Sequence, residues 1–235
     1  MSYCVYEDQY CYYLWKQAGK HSTYGQEFSF LEEMINEKED KKIMEIIENG
    51  SDYFWKEEEF WLLNRLDTPT TGLLYFAKNP QIKKEYKKLQ SEGKVEKYYL
   101  AQVWWDINYY IKEKGNTINF PIAHHKFSTD RMVVISSDLS LHKIKNSPQE
   151  WITEILEREY NHKDKTSTLL IRIKKGIRHQ IRSHLSEIGY PIVGDPIYGK
   201  KKDPWEKELG LVSIGLKIWE IQNIVGIIGI ARFRS

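Results

Sequence analysis

Cysteine is scarce in this chain, and its scarcity limits what can hold the fold together. The 235 residues include 2 cysteines, Cys4 and Cys11. Two thiols are too few for a disulfide framework, and no cluster of histidine or cysteine lies near them to suggest a zinc site. We therefore expect free thiols in a reducing, cytoplasmic compartment, and no bound metal.

Long apolar runs are also missing. No stretch is long enough to cross a bilayer, and residues 1–20 lack the basic start and apolar middle of a signal peptide. No internal repeat or low-complexity linker interrupts the chain. Its hydrophobic content of 41% and charged content of 29% are ordinary for a globular domain. These features predict a single domain over residues 1–235 with no membrane partner.

Net charge is small, at a formal value of +2, and alone it does not indicate a nucleic-acid partner. The distribution of charge is more informative. Residues 172–182 carry arginines and lysines but no acid, residues 83–97 are rich in lysine, and residues 32–59 are strongly acidic. This segregation predicts a basic face able to hold phosphates through counterion release. For residues 83–94 the alternative is that the lysines only solubilise an exposed helix face.

Hydrophobic periodicity predicts an α+β fold. A helix should begin at Asn79 and Pro80, which suit an N-cap and a first helical position, and should stop at Gly93. Further helices are expected after Ser29, over 43–47 and over 178–188. Strands are expected as a pair over 3–15, and at 60–64, 73–78, 95–105, 131–136, 150–158 and 167–174.

Two segments carry most of the functional information. Residues 64–74 read N-R-L-D-T-P-T-T-G-L-L and place Asp67 on a turn just ahead of an apolar run. Residues 178–185 read R-H-Q-I-R-S-H-L and contain no acid. An Asp-Thr-Pro sequence is by itself an ordinary turn. Taken together, however, the two segments predict one acidic catalyst set in a basic cleft.

Both segments resemble blocks of the RluA-type family of RNA pseudouridine synthases, which read H-R-L-D-x-x-T-S-G-L-L and G-R-T-H-Q-I-R-x-H-L. Further blocks resemble the family in the same order along the chain. They are V-Y-E-D at 5–8 with K-Q-A-G at 16–19, K-Y-Y-L-A at 97–101, and I-G-Y-P-I-V-G-D-P-I-Y-G at 188–199. The chain departs from the family at Asn64, where histidine is usual, at Thr71, where serine is usual, and at Ile177, where arginine is common.

The resemblance implies a fold and an activity. The fold would be a mixed, largely antiparallel bent β-sheet with flanking helices and a central RNA-binding cleft, without a separate N-terminal RNA-binding domain. The activity would be isomerisation of specific uridines in rRNA or tRNA to pseudouridine, by a monomer. Moving uracil from an N1 to a C5 glycosidic link involves no redox step and no phosphate energy, so no cofactor is expected.

The chemistry explains why the family uses these residue types. The reaction needs an ionised carboxylate, and a guanidinium beside it would offset the rise in pKa that desolvation causes. The target uridine is stacked within folded RNA and must be taken out of the stack. The resemblance assigns catalytic roles to Asp67 as the carboxylate, Arg182 as its partner, and Tyr99 as the residue that stacks on the base. It implies substrate-binding roles for Arg65, which would displace the target base, Ile181, which would wall the base, Lys97 and Arg178.

Neighbouring residues of the same blocks are expected to be structural. His179 and Gln180 should make hydrogen bonds at a helix start, and Asp195 should belong to a turn without a catalytic role.

Two alternatives to an active synthase remain open at this point. One is a degenerate relative that binds RNA without catalysis, which Asn64, Ile177 and a divergent C-terminal segment would favour. Retention of the carboxylate, tyrosine and arginine argues against it. The other is an unrelated hydrolase that pairs Asp67 with a second acid, as in glycoside hydrolysis. The sequence offers no motif for that second acid.

Overall fold

The computed structural model describes residues 4–23, 27–36, 62–199 and 208–218. Its strands are β1 (Cys4–Glu7), β2 (Cys11–Lys16), β3 (Thr71–Ala77), β4 (Val95–Trp104), β5 (Thr117–Ile118), β6 (Pro121–His124), β7 (Met132–Val134), β8 (Gln149–Glu150), β9 (Thr153–Asn161), β10 (Thr166–Ile173) and β11 (Leu211–Ile218). Its α-helices are α1 (Phe30–Asn36), α2 (Pro80–Ser91), α3 (Asn108–Lys114) and α4 (Gln180–Glu187), and a 3-10 helix spans Asp138–Lys143. The α+β prediction is confirmed, and the sheets are largely antiparallel.

The chain forms two compact units, one of Met1–Val95 with Val212–Ser235 and one of Glu96–Leu211. In the first unit the strands lie in the order β1-β2-β3-β11. The β1/β2 and β2/β3 pairs are antiparallel, whereas β3 and β11 are parallel. The strand pair predicted near the N-terminus is confirmed by the antiparallel pairing of β1 and β2. Asp8 closes the turn between them, because its Oδ1 accepts hydrogen bonds from the backbone N–H of Tyr10 at 2.8 Å and of Cys11 at 2.7 Å.

Helix α2 begins as the sequence predicts. Asn79 is the N-cap, and its Oδ1 accepts a hydrogen bond from the N–H of Ile82 at 3.0 Å, with Pro80 at the first helical position. Tyr86 and Leu89 are buried on the inner face of the helix. Gly93 follows the helix with a φ of 73°, a left-handed conformation that suits glycine at a helix end.

The second unit contains two sheets. One has the antiparallel order β4-β10-β9-β5, and the other has the order β7-β6-β8. The β4/β10 register pairs Tyr99 with Ile171 and Lys97 with Ile173. Side chains alternate between the faces of a strand, so Lys97 and Tyr99 project from the same face of β4.

The strand predicted at 60–64 is wrong where the structure describes it. Leu62 makes only an isolated bridge to Phe76, and no strand covers residues 63–67. One further backbone hydrogen bond, from Leu63 N to Tyr75 O at 2.7 Å, joins this segment to β3, and the side chain of Asn64 adds two more. Its Nδ2 donates to Leu73 O at 3.1 Å and its Oδ1 accepts from Tyr75 N at 2.8 Å.

Other elements were not anticipated or cannot be compared. Strand β11, helix α3 and the short strands β5 and β6 had no predicted counterpart in the sequence, whereas the strand predicted at 150–158 overlaps the end of β8 and most of β9. The helix predicted at 43–47 lies outside the described residues. Among the helices that are described, none is long and apolar enough to cross a membrane.

Candidate active site

Asp67 lies on a tight turn in the first unit, as predicted. Its carbonyl accepts a hydrogen bond from Thr70 N at 2.9 Å, and its side chain is half-buried. The preceding residue is held from both sides, because Ser22 Oγ donates to Leu66 O at 2.9 Å and accepts from Leu66 N at 3.0 Å. Arg65 projects into solvent. The turn is therefore fixed while its neighbouring arginine is exposed.

Lys16, at the end of β2, supports the same turn from below. The side chain is fully buried, and its ammonium donates to Gln17 O at 3.0 Å, Lys20 O at 2.9 Å and Thr68 O at 3.1 Å. Burial lowers the pKa of Lys16 to about 8, and the negative charge of Asp67 opposes that shift. This role of Lys16 was not predicted. A lysine on the buried side of the C-Y-Y-L-W-K strand was the available signal.

Gly72 brings β11 against the chain immediately after the turn. Its φ is 115°, and a Cβ at this position would lie 2.2 Å from the carbonyl oxygen of Ser213. Ser213 Oγ donates to Leu73 O at 3.2 Å. Glycine is therefore required both for the backbone conformation and for the close approach of the parallel strand.

Asn64, the departure from the family's histidine, has a structural role here. It is 5% exposed and satisfies both the carbonyl of Leu73 and the N–H of Tyr75 on β3. Because both polar atoms of the Asn64 side chain are hydrogen-bonded to β3, Asn64 stabilises the strand that follows the Asp67 turn. The substitution of histidine by asparagine is accordingly weak support for a degenerate site.

Arg182 occupies the buried face of α4 in the second unit. It is 1% exposed, and its guanidinium donates from Nε to Asp195 Oδ2 at 2.8 Å and from Nη2 to Asp195 Oδ1 at 2.9 Å. Backbone N–H groups of Ile197 and Tyr198 also donate to Asp195 Oδ1, at 2.9 and 3.0 Å. Burial opposes ionisation of Asp195, but Arg182 and these N–H groups outweigh it and hold the pKa of Asp195 below its usual value.

Tyr198 completes the surroundings of this ion pair. The Arg182 guanidinium carbon lies 5.4 Å from the centre of the Tyr198 ring. The Tyr198 hydroxyl accepts a hydrogen bond from Met132 N at 2.8 Å and lies 3.0 Å from Nδ1 of His179. Arg182 is consequently restrained on several sides, so its guanidinium has a fixed orientation.

The other predicted residues of the second unit occupy different environments. Tyr99 and Lys97 are 7% and 8% exposed on the same face of β4, and Ile181 is 4% exposed. Burial lowers the pKa of Lys97 to about 8. Arg178 is exposed and donates from Nη1 to Thr129 O at 2.7 Å. These positions allow Arg178 to face solvent, whereas Ile181 belongs to the packed interior.

The helix start differs in part from its prediction. Gln180 does bind the preceding turn, since its Oε1 accepts from Ile177 N at 3.2 Å. His179 is the N-cap, and its carbonyl accepts a hydrogen bond from Ser183 N at 2.8 Å, whereas its side chain makes no capping bond and its ring lies 3.0 Å from the Tyr198 hydroxyl. His179 has a φ of 57°, so its left-handed backbone directs the ring away from the first turn of the helix.

Within each unit, the structure groups some predicted residues with partners that were not predicted. Asp67 lies near the charge of Lys16 in the first unit, and Arg182 is paired with Asp195 in the second. The pairing of Arg182 with Asp67 stays a prediction. Among the described residues, no group of three or more His, Cys, Asp or Glu side chains is placed to hold a metal ion.

Comparison with known proteins identifies the family. The profile of the RNA pseudouridylate synthase family matches residues 16–187, which include the Asp67 turn and helix α4. The chain therefore belongs to the RNA pseudouridylate synthase family, and its named relatives are of the RluA type.

Two relatives and one solved structure illustrate the similarity. Ribosomal large subunit pseudouridine synthase D of Nitrosomonas europaea is 33% identical over 165 residues, which cover 68% of this chain and 43% of the relative. Dual-specificity RNA pseudouridine synthase RluA of Vibrio parahaemolyticus is 27% identical over 60% of this chain and 52% of its own length. The structure of human RNA pseudouridylate synthase domain containing 1 shares the fold, with a TM-score of 0.64, 22% identity, and coverage of 92% of this chain and 77% of that one. The chain thus spans about half the length of these curated relatives.

Proposed function

We propose that this protein is an RNA pseudouridine synthase that isomerises specific uridines in rRNA or tRNA, with Asp67 as the catalytic carboxylate. The observation that carries the proposal is the family match over residues 16–187, within which the carboxylate-bearing turn is intact. The name of the Nitrosomonas relative, a large-subunit ribosomal enzyme, supports ribosomal RNA as a substrate. The protein would work as a cytoplasmic monomer without a cofactor.

Asp67 would act on the nucleoside as an ionised carboxylate, by adding to the base or sugar or by removing a sugar proton. Its half-buried position on a turn suits this role, because the turn is fixed by Ser22 and by Lys16 below it. The charge of Asp67 acts on the buried ammonium of Lys16, which donates to Thr68 O at the same turn. Arg182 would supply the oriented guanidinium that the family pairs with this aspartate.

Both exposed and buried side chains would contact the RNA substrate. Arg65, exposed two residues before the carboxylate, would enter the space that the target base leaves, and Tyr99 would stack on the extruded base. Ile181 would wall the base from the side of helix α4. Lys97 and Arg178 would hold the phosphate backbone.

The experiment that tests the proposal is a map of pseudouridine in total RNA. It compares cells with the wild-type gene, cells without it, and cells carrying Asp67→Asn. Loss of the same site or sites in both altered strains is the expected result, and it would also identify the substrate.

A map that is identical in all three strains would contradict the proposal. If the purified protein still bound RNA, the non-catalytic alternative would then take its place.

A further inference from the structure

We infer that the loop of residues 125–131, named the Phe127 loop from here on, is a stacking platform for an unpaired base of the RNA substrate. The loop joins the end of β6 at His124 to the start of β7 at Met132. The base bound there would be distinct from the target uridine, which the proposed function gives to Tyr99. The inference rests on the proposed function for the identity of the ligand, but the surface itself is argued from the second unit alone.

Phe127 exposes most of its ring to solvent. Its side chain is 76% exposed, the largest exposed fraction among the large hydrophobic side chains that the structure describes. In the described part of the chain, its ring and cation contacts come from the two residues before it. The ring centre of His125 lies 6.2 Å from that of Phe127, and the Lys126 ammonium lies 5.4 Å from the centre of the Phe127 ring. The aromatic area of Phe127 is therefore available to a ligand.

The backbone on both sides of Phe127 is held in place. Lys126 N donates a hydrogen bond to Lys143 O at 2.7 Å, ahead of the ring. Arg178 donates from Nη1 to Thr129 O at 2.7 Å, after it. A ligand that stacks on a fixed aromatic side chain does not have to order the loop that carries it, so less conformational entropy is lost on binding.

Exposed cations surround this ring. Residues 143–146 are hydrogen-bonded to the end of β6 and to the Phe127 loop, and the side chain of Arg178 is hydrogen-bonded to the loop itself. Across these segments the one acid is Asp130. The exposed cations on them are Lys126, Arg131, Lys143, Lys145 and Arg178. An aromatic ring set among cations suits single-stranded RNA, because a base stacks on the ring while the cations attract the neighbouring phosphates.

The end of the Phe127 loop is connected to the surroundings of Arg182 through Tyr198. Arg131 donates a hydrogen bond to Ile197 O, and its guanidinium carbon lies 5.7 Å from the centre of the Tyr198 ring. The guanidinium carbon of Arg182 lies 5.4 Å from the centre of the same ring. The exposed aromatic side chain thus belongs to the part of the second unit that also holds Arg182.

Tyr109 on α3 provides the internal comparison. It is exposed to a similar extent, at 73%. Its surroundings along the chain carry charges of both signs, because Asp106 and Glu113 accompany Lys112 and Lys114. An exposed aromatic side chain is by itself ordinary on a protein surface. The basic surroundings distinguish Phe127 from Tyr109, so Tyr109→Ala is the matched control.

The test compares the binding of two labelled RNA probes by fluorescence anisotropy. One is a short oligouridylate, and the other is an abasic ribose-phosphate oligomer of the same length, which carries the same phosphates but no bases. We expect Phe127→Ala to weaken binding of the oligouridylate about five- to a hundredfold. Binding of the abasic oligomer and the dependence of affinity on salt should not change, because no charge is removed.

Two further variants separate stacking from charge. Phe127→Trp keeps an aromatic face and should retain the affinity for oligouridylate, whereas Tyr109→Ala should bind both probes like the wild type. Lys126→Ala should weaken binding of both probes and reduce the salt slope by about one.

Equal binding of oligouridylate by Phe127→Ala and wild type would overturn the inference and would leave the exposed ring to a protein partner. An equal loss of affinity for both probes would also overturn it, because the ring would then support the loop and not a base. Pseudouridine formation by the wild type is measured in parallel on cellular RNA. If it persists in either case, the proposed function stands without the inference. A wild-type protein that neither binds oligouridylate nor forms pseudouridine would overturn both.

Discussion

Asp195 binds the guanidinium of Arg182 side-on, with Nε–Oδ2 and Nη2–Oδ1 distances of 2.8 and 2.9 Å. The pair joins two sequence blocks, residues 178–185 with helix α4 and the Gly-Asp turn at residues 194–195. Both side chains are almost completely buried. Because Asp195 takes up the Nε edge of the guanidinium, any further carboxylate would have to approach from the Nη1 side.

Replacement of Asp195 by alanine should strongly destabilise the second unit. The guanidinium of Arg182 would remain buried without its counterion, and breaking such a pair costs about 3–5 kcal/mol. Urea unfolding measures the change in the free energy of unfolding. Asp130→Ala, at an exposed aspartate, is the control and should change it by less than about 0.5 kcal/mol. Similar small effects of both substitutions would contradict the role of the ion pair.

Gly72→Ala should prevent β3 and β11 from pairing. The added Cβ would lie 2.2 Å from Ser213 O, a backbone atom that cannot move away alone. We expect loss of more than about 4 kcal/mol in the free energy of unfolding, or no folded protein. Gly19→Ala is the matched control, because Gly19 also has a positive φ, of 82°, but open space around it. It should cost only about 1–2 kcal/mol. Equal losses at both glycines would show that backbone strain, not the close approach of β11, explains the effect.

His184 should make stability depend on pH in mildly acidic solution. It is fully buried, its Nε2 donates to Phe120 O at 3.0 Å, and its Nδ1 accepts from the Thr153 hydroxyl at 2.9 Å. Burial lowers the pKa of His184 from 6.5 to about 4. Protonation therefore favours the unfolded chain, so stability is fully present above about pH 6.5 and is lost as the pH falls towards 4, by up to about 3 kcal/mol.

The measurement is the free energy of unfolding of wild type and His184→Gln between pH 7.5 and 4. Glutamine does not titrate, so the difference between the two proteins should narrow as the pH falls. A difference that stays constant across this range would contradict the neutral, buried histidine.

Asn64→Ala should destabilise the segment around the Asp67 turn without altering what the turn does. It would leave Leu73 O and Tyr75 N without their partner, at a cost of about 1–3 kcal/mol for a buried polar group. Thermal unfolding gives the loss of stability, and turnover well below the unfolding temperature gives the effect on catalysis. A large loss of turnover in fully folded Asn64→Ala would instead indicate that Asn64 contacts the substrate.

Local chemistry made part of this structure predictable. The Asp67 turn follows from Asp-Thr-Pro, and the start of α2 follows from Asn79 and Pro80, since each depends on residues within a few positions. The failed strand at 60–64 shows the limit of periodicity. An alternating pattern cannot distinguish backbone pairing from the side-chain pairing that Asn64 makes.

Contacts between distant residues could not be predicted in this way. The bond from Lys16 Nζ to Thr68 O spans 52 positions, and that from Ser213 Oγ to Leu73 O spans 140. The parallel pairing of β11 leaves no signal in the residues beside it, and the strand position of Lys16 indicates that the lysine is buried but not which carbonyls it binds. The partnership of Arg182 with Asp195 was missed for the same reason, although both residues had been noticed separately.

The most direct test of the central claim is conversion of uridine by the purified protein. Unmodified RNA from cells lacking the gene is incubated with wild type, Asp67→Asn or Asp67→Glu, and pseudouridine is mapped at each position while RNA binding is measured in parallel. The account predicts that wild type forms pseudouridine at the positions lost in the cells, and that Asp67→Asn forms none while it binds RNA with similar affinity. Pseudouridine formation by Asp67→Asn at the wild-type rate would contradict the account.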